Sequence, residues 1–205
     1  MMAVLFAMLA YLYGSIPFGY IATSILTGEK LTEKGTGNVG VTNAFKVGGT
    51  AAGIITVAGE ISKAVVPIYT ARWLFPDNLF TVLLLVFSSL AGTCFSVFLK
   101  GKGGKGSTAA IWSVLLLSPW SFLLLVITAG ILSLLARITI QVKKLQILFI
   151  PCVIHLVERD VLFTSFGLLT SLLFAYNIYY RKDDFAYYNV FQQKPALKDN
   201  GSIDR

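Results

Sequence analysis

Two stretches of this chain bring lysines, glycines and small polar side chains together as an anion cradle would: EKGTGNVGVTNAFK, residues 33–46, and KGKGGKGST, residues 100–108. Glycine permits positive φ and close backbone approach, so successive N–H groups can converge on phosphate oxygens while lysine adds charge. Each stretch leads into an apolar segment, and a helix beginning there would point its partly positive N-terminus at the same anion. The first stretch offers Gly35, Thr36, Gly37, Asn38, Gly40, Thr42, Asn43 and Lys46; the second offers Lys102, Gly103, Gly104, Lys105, Gly106 and Ser107. Two phosphate sites at one membrane face suit a reaction that joins two phosphorylated compounds.

Simpler readings compete with this one. GTGNVG, residues 35–40, has the spacing of a dinucleotide fingerprint, but that motif needs a preceding strand. Here it follows 28 uncharged residues and the polar stretch 29–34. A Walker A loop ending at Gly104 and Lys105 would need Gly at 99 and Ser or Thr at 106, where the chain has Leu99 and Gly106. A basic connector lying on an anionic leaflet would account for the lysines of the second stretch, and a plain turn for much of the first. Asn38 and Asn43 add nothing to topology yet suit a polar ligand. His155 and Asp160 satisfy H-x4-D, the spacing of an unrelated acyltransferase superfamily, but they fall at the opposite end of the expected topology.

The elements that carry these stretches are those of a membrane protein. Of 205 residues, 56% are hydrophobic and 13% charged, against about 25% charged in soluble domains. Charge-free runs at 1–28, 78–99, 106–136 and 161–180 each reach the length that crosses a core of about 30 Å as helix. They lack the alternation of barrel strands, so helices are expected. The first run has no basic n-region and stays apolar too long for a cleaved signal, so it reads as a retained span. Cys94 and Cys152 lie in apolar segments with no metal-ligand spacing and read as packing residues.

Seven apolar segments follow, at roughly 3–27, 47–71, 79–99, 106–117, 120–136, 145–157 and 161–180, with Ser118 and Pro119 dividing the long third run. The fourth and sixth are short enough to tilt little or to stop part-way. Fourteen Lys and Arg residues fall in alternate connections and the C-terminal tail, Arg72 and Arg159 fall on the other side, and Lys63 lies inside the second segment. The positive-inside rule then places the N-terminus outside, and both glycine-rich stretches and the C-terminus in the cytoplasm. The net charge of +7 is explained by this orientation and points to anionic lipid as neighbour, not nucleic acid.

Three stretches together resemble the bacterial integral-membrane acyl-phosphate:glycerol-3-phosphate acyltransferases: GSIPFGYI at 14–21, GTGNVGVTNAFKVGG at 35–49 and FSVFLKGKGGKGST at 95–108. The likeness covers the first 110 residues well and the remainder by topology. It implies transfer of a fatty acyl group from acyl-phosphate to the sn-1 hydroxyl of glycerol 3-phosphate, giving lysophosphatidic acid and phosphate, with no cofactor or metal and no acyl-enzyme. It further implies that Lys105 with Gly103, Gly104 and Gly106 holds one phosphate, that Thr36, Asn38, Asn43 and Lys46 surround the other substrate, and that Ser15 lines the same pocket. Asn177 corresponds to the asparagine of the family's last helix, and Glu60, Lys63 and Arg137 take supporting places.

The chain departs from the family pattern at several of these positions. Thr36 and Lys46 stand where Ser and Arg are usual, and Lys46 replaces a bidentate clamp by a point charge. The Gly-His before the second stretch is Gly92 and Thr93. The last helix carries Phe174 where a histidine aligns, and Arg137 is followed by Thr139 as a displaced hydroxyl. The expected architecture is an all-α membrane protein: one domain over 1–182 in the bacterial cytoplasmic membrane, then a polar cytoplasmic tail over 183–205. A non-catalytic lipid- or phosphate-binding paralogue, or a small transporter of a phosphorylated solute, is the alternative. Inverted repeats with broken helices, which would favour transport, are not evident.

Overall fold

The computed structural model describes residues 1–136, 139–180 and 187–188. Among them the chain is all helical: α1 (Met2–Gly14), α2 (Phe18–Thr27), α3 (Val41–Leu74), α4 (Leu79–Cys94), a 3-10 turn (Val97–Leu99), α5 (Ser107–Leu117), α6 (Pro119–Ala136), α7 (Thr139–Glu158) and α8 (Val161–Tyr180). Counting α1 and α2 as one broken span recovers the seven segments. Residues 2–27, 41–74 and 79–99 are long and apolar enough to cross a membrane.

Proline and glycine set the breaks. Pro17 cannot donate to the preceding turn, and the first span stops at Gly14 and restarts at Phe18. Gly49 interrupts α3 with φ +79°, a value that only glycine adopts readily. There the chain doubles back: the Phe45 ring fills the space where Gly53 has no side chain, although residues eight apart on a straight helix would sit about 12 Å from each other. Residues 41–48 are thus a short arm folded on 50–74. The apolar run of the second segment starts only at 47, because the arm before it is polar.

Two other boundaries moved. The sixth segment, expected at 145–157, is the 20-residue helix α7 beginning at Thr139, since helical structure continues past the point where the apolar run ends. The fourth is shorter still: α5 has 11 residues, about 16 Å of helix, and does not match the bilayer core. It starts beside the end of α4, and Leu117 at its far end joins the cluster of Phe6, Ala10, Ala71, Val82 and Leu85.

α4 is the central helix, packed on α1, α3, α5 and α8. Its contact with α1 is close because Gly14 lies on the Ser89 carbonyl and Gly92 on the Tyr11 carbonyl, where a Cβ would overlap. Contacts between connections also follow the alternation expected from the charges. At one end the Phe6 and Phe75 rings meet at 6.0 Å, and Ser118, next to Leu117, donates to Glu158. At the other end the two glycine-rich loops meet.

Candidate functional site

Both loops sit at helix beginnings. Gly40 is the N-cap of α3 and Gly106, with φ +73°, that of α5. The first intrahelical bonds run from Ala44 N–H to the Gly40 carbonyl and from Ala110 N–H to the Gly106 carbonyl. The preceding amides of each helix, Val41 to Asn43 and Ser107 to Ala109, therefore have no intrahelical acceptor.

The second loop is folded under the end of α4. Gly104 N–H donates to the Thr93 carbonyl at 2.8 Å, Gly103 fits against that carbonyl only because it lacks a Cβ, and Cys94 Sγ donates to the Lys105 carbonyl at 3.5 Å. Gly103, Gly104 and Gly106 are buried, Lys105 is half-buried, and Lys102 and Ser107 are exposed. The loop is thus a fixed wall of backbone with lysines at its rim, not a loose connector.

The first loop is organised by Asn43, which is fully buried. Its Nδ2 donates to the carbonyls of Leu31, Lys34 and Asn38 at 3.3, 3.1 and 2.8 Å, and its Oδ1 accepts from Thr36 N–H at 3.2 Å. Asn38, also buried, donates its N–H to Thr36 Oγ1 at 3.3 Å. Asn43, expected beside a substrate, is engaged instead in closing the loop. Gly35 and Gly37 take φ +58° and +75°, Thr42 is half-buried and Lys46 exposed. Lys30 and Lys34 pair with Glu33 and Glu29 at 3.4 and 3.3 Å, whereas Lys46 and Lys102 have no carboxylate partner among the described residues.

The loops touch. A Cβ on Gly104 would lie 3.9 Å from Val39 Cγ2, and Leu99 packs on the cluster of Leu31, Val39 and Ala44. The break between α1 and α2 borders them: Ser96 Oγ donates to the Ser15 carbonyl at 2.5 Å, and the Val39 carbonyl lies against Gly19. Ser15 itself is buried, and its hydroxyl donates back to the Tyr11 carbonyl at 2.8 Å. It shapes the break. The end of α8 arrives at the same level, since the Tyr176 ring meets Phe95 at 5.3 Å. Asn177 is buried there with Nδ2 donating to the Leu173 carbonyl at 3.0 Å. Phe174, aligned with the family histidine, packs on the core around Cys94 and Ala109.

Glu60 and Lys63 form a buried pair at 2.7 Å, and Lys63 Nζ lies 5.5 Å from the Phe18 ring centroid, so the pair braces α3 against the start of α2. Arg137 lies outside the described residues. The H-x4-D residues are structural: Asp160 Oδ1 caps α8 through the N–H groups of Leu162 and Phe163, and His155 Nδ1 meets Thr164 Oγ1 at 2.9 Å. Val39, Ser96 and Tyr188 are the site neighbours that sequence reading passed over. The Tyr187 and Tyr188 pair within a polar tail was the available signal for the last.

A helical scaffold with membrane-length spans and two glycine-lysine loops gathered at one end defines a helical integral-membrane protein. The family model described as glycerol-3-phosphate acyltransferase matches residues 4–185, and the chain belongs to that family of integral-membrane enzymes of phospholipid biosynthesis. The chain is 30% identical to the glycerol-3-phosphate acyltransferase of Carboxydothermus hydrogenoformans over 89% of its own length and 90% of the relative's. It is 38% identical to that of Anaeromyxobacter sp. (strain Fw109-5) over 59% of its length and 61% of the relative's. The crystal structure of PlsY, an integral membrane glycerol 3-phosphate acyltransferase in its glycerol 3-phosphate form, shares the fold at TM-score 0.74 and 24% identity, over 94% of this chain and 100% of that one.

Proposed function

We propose that this chain transfers a fatty acyl group from acyl-phosphate to the sn-1 hydroxyl of glycerol 3-phosphate at the cytoplasmic face of a bacterial cytoplasmic membrane. Family membership supports the acyltransfer. The observation that supports the two-substrate reading is the nearness of the two loops: Leu99, just before the second, packs on Leu31, Val39 and Ala44 of the first, and Val39 Cγ2 is 3.9 Å from where a Cβ of Gly104 would stand. The charge asymmetry of the connections supports a cytoplasmic placement of both, with the N-terminus outside.

The hydroxyl oxygen attacks the acyl carbonyl carbon, the bond from that carbon to the phosphate oxygen breaks, and its electron pair leaves with phosphate. The hydroxyl proton passes to a substrate phosphate, in keeping with Phe174 at the histidine position. Acyl-phosphate already has a good leaving group, so the protein's part is positioning and charge stabilisation. Lys105 and the backbone of Gly103, Gly104 and Gly106 hold one phosphate, with Lys102 and Ser107 at the rim. Thr36, Asn38, Thr42, Lys46 and the backbone of Gly35, Gly37 and Gly40 surround the other substrate, with Asn43 and Ser15 shaping the walls. Asn177 closes the site from α8, and Glu60, Lys63 and Arg137 support it.

The test is purified protein with acyl-phosphate and glycerol 3-phosphate, following lysophosphatidic acid and phosphate together. Equimolar products are expected, and Lys105→Ala should lower the rate by about 10²–10³-fold, as for loss of one donor to developing charge. Uptake of glycerol 3-phosphate into sealed vesicles without acyl product would replace this reading by transport.

A further inference from the structure

Tyr188 lies against the first loop. Tyr188 Oη donates to Asn43 Oδ1 at 2.5 Å, across 145 residues of chain. It enters where Gly35 has no side chain, because a Cβ on Gly35 would overlap the Tyr188 hydroxyl. Lys46 Nζ lies 5.9 Å from the centroid of the same ring, within cation–π reach. One side chain therefore meets Asn43, the tie of the first loop, together with Gly35 and Lys46 of the same loop. The family match ends at residue 185, short of this tyrosine.

An amide oxygen has two acceptor directions. On Asn43 one receives Thr36 N–H and the other the Tyr188 hydroxyl. The phenol thus completes the residue that ties together the carbonyls of Leu31, Lys34 and Asn38. Lys46 is exposed on a flexible stem, and the ring restricts where its ammonium goes.

We infer that Tyr188 is a positioning residue of the first-loop anion site: its hydroxyl locks Asn43 and its ring holds Lys46, so that the start of the tail is a wall of the site. The inference rests on the first loop being a substrate site, and it extends the working unit past residue 182. It concerns the two contacts separately. Tyr188→Phe removes only the hydroxyl, whereas Tyr188→Ala also removes the ring.

The test uses the full chain, with kcat and KM measured for both substrates. Tyr188→Phe should raise the KM of one substrate about tenfold, the worth of one hydrogen bond, with kcat and the other KM held within about twofold. Tyr188→Ala should raise the same KM further, and this added loss should vanish when Lys46→Met is already present. Equal changes in both KM values, a fall in kcat alone, or full additivity with Lys46→Met would overturn the inference. If the unaltered protein makes no lysophosphatidic acid, the acyltransfer reading fails by itself. Calorimetric binding of glycerol 3-phosphate and of acyl-phosphate then decides on Tyr188: weakening of one ligand by Tyr188→Phe supports it, and unchanged binding of both overturns it.

Discussion

Val39 Cγ2 lies 3.9 Å from where a Cβ of Gly104 would be, so even the smallest side chain there would close the gap between the two loops to ordinary van der Waals contact. Their neighbouring glycines are not equivalent. A Cβ at Gly104 would stand 3.9 Å from both Val39 Cγ2 and the Thr93 carbonyl oxygen, whereas one at Gly103 would overlap that oxygen at 2.2 Å, and it is fixed backbone.

Gly103→Ala is therefore expected to displace the second loop, costing about 1–3 kcal/mol as overpacking does, and to abolish acyl transfer. Gly104→Ala should melt within a degree or two of the parent, since 3.9 Å is a normal contact. Thermal unfolding in detergent micelles beside product formation checks both. Equal behaviour of the two variants would contradict the loop geometry.

The Glu60 and Lys63 side chains are nearly inaccessible and 2.7 Å apart. Lys63→Met or Glu60→Leu alone leaves a buried charge and is expected to cost about 3–5 kcal/mol, while the double replacement recovers most of it. A double-mutant cycle of melting temperatures reads the coupling. Additive losses would show that the pair does not act as a unit.

His155 and Asp160 sit at the end of the molecule away from the loops, and Asp160 caps α8. Asp160→Ala should lose about 0.5–2 kcal/mol of stability, as an N-cap does, and His155→Ala should leave the rate unchanged. A large drop in turnover with either variant, at unchanged melting temperature, would restore the H-x4-D motif as catalytic.

The orientation is open to labelling. In a Cys152→Ser background, Thr32→Cys and Ser107→Cys, both at exposed positions of the loops, should react with a membrane-impermeant maleimide only from the cytoplasmic side. Asp77→Cys, between α3 and α4, should react only from the other side. Reaction of the two loop cysteines from opposite sides would refute a shared reaction centre.

Composition, charge-free runs and connection charges determined by themselves that this chain is a helical membrane protein of seven segments, because burying a helix in lipid demands uninterrupted apolar length. Ser118 with Pro119 marked a break that the structure keeps, since a proline nitrogen has no proton to give; the break at Pro17 divides a segment that the apolar run alone leaves continuous. Three ordered motifs pointed to the family, and the match over residues 4–185 bears that out. What the linear pattern could not hold was the use of each side chain. Asn43 looks like a ligand residue and proves to be the tie of its own loop; Ser15 looks like lining and is bonded back into α1. The reversal at Gly49, the fit of Gly103 on Thr93 and the return of Tyr188 to Asn43 depend on groups distant in sequence. Only the folded chain decides them, because hydrogen bonds and close packing are set by distance in space, which local propensity does not encode.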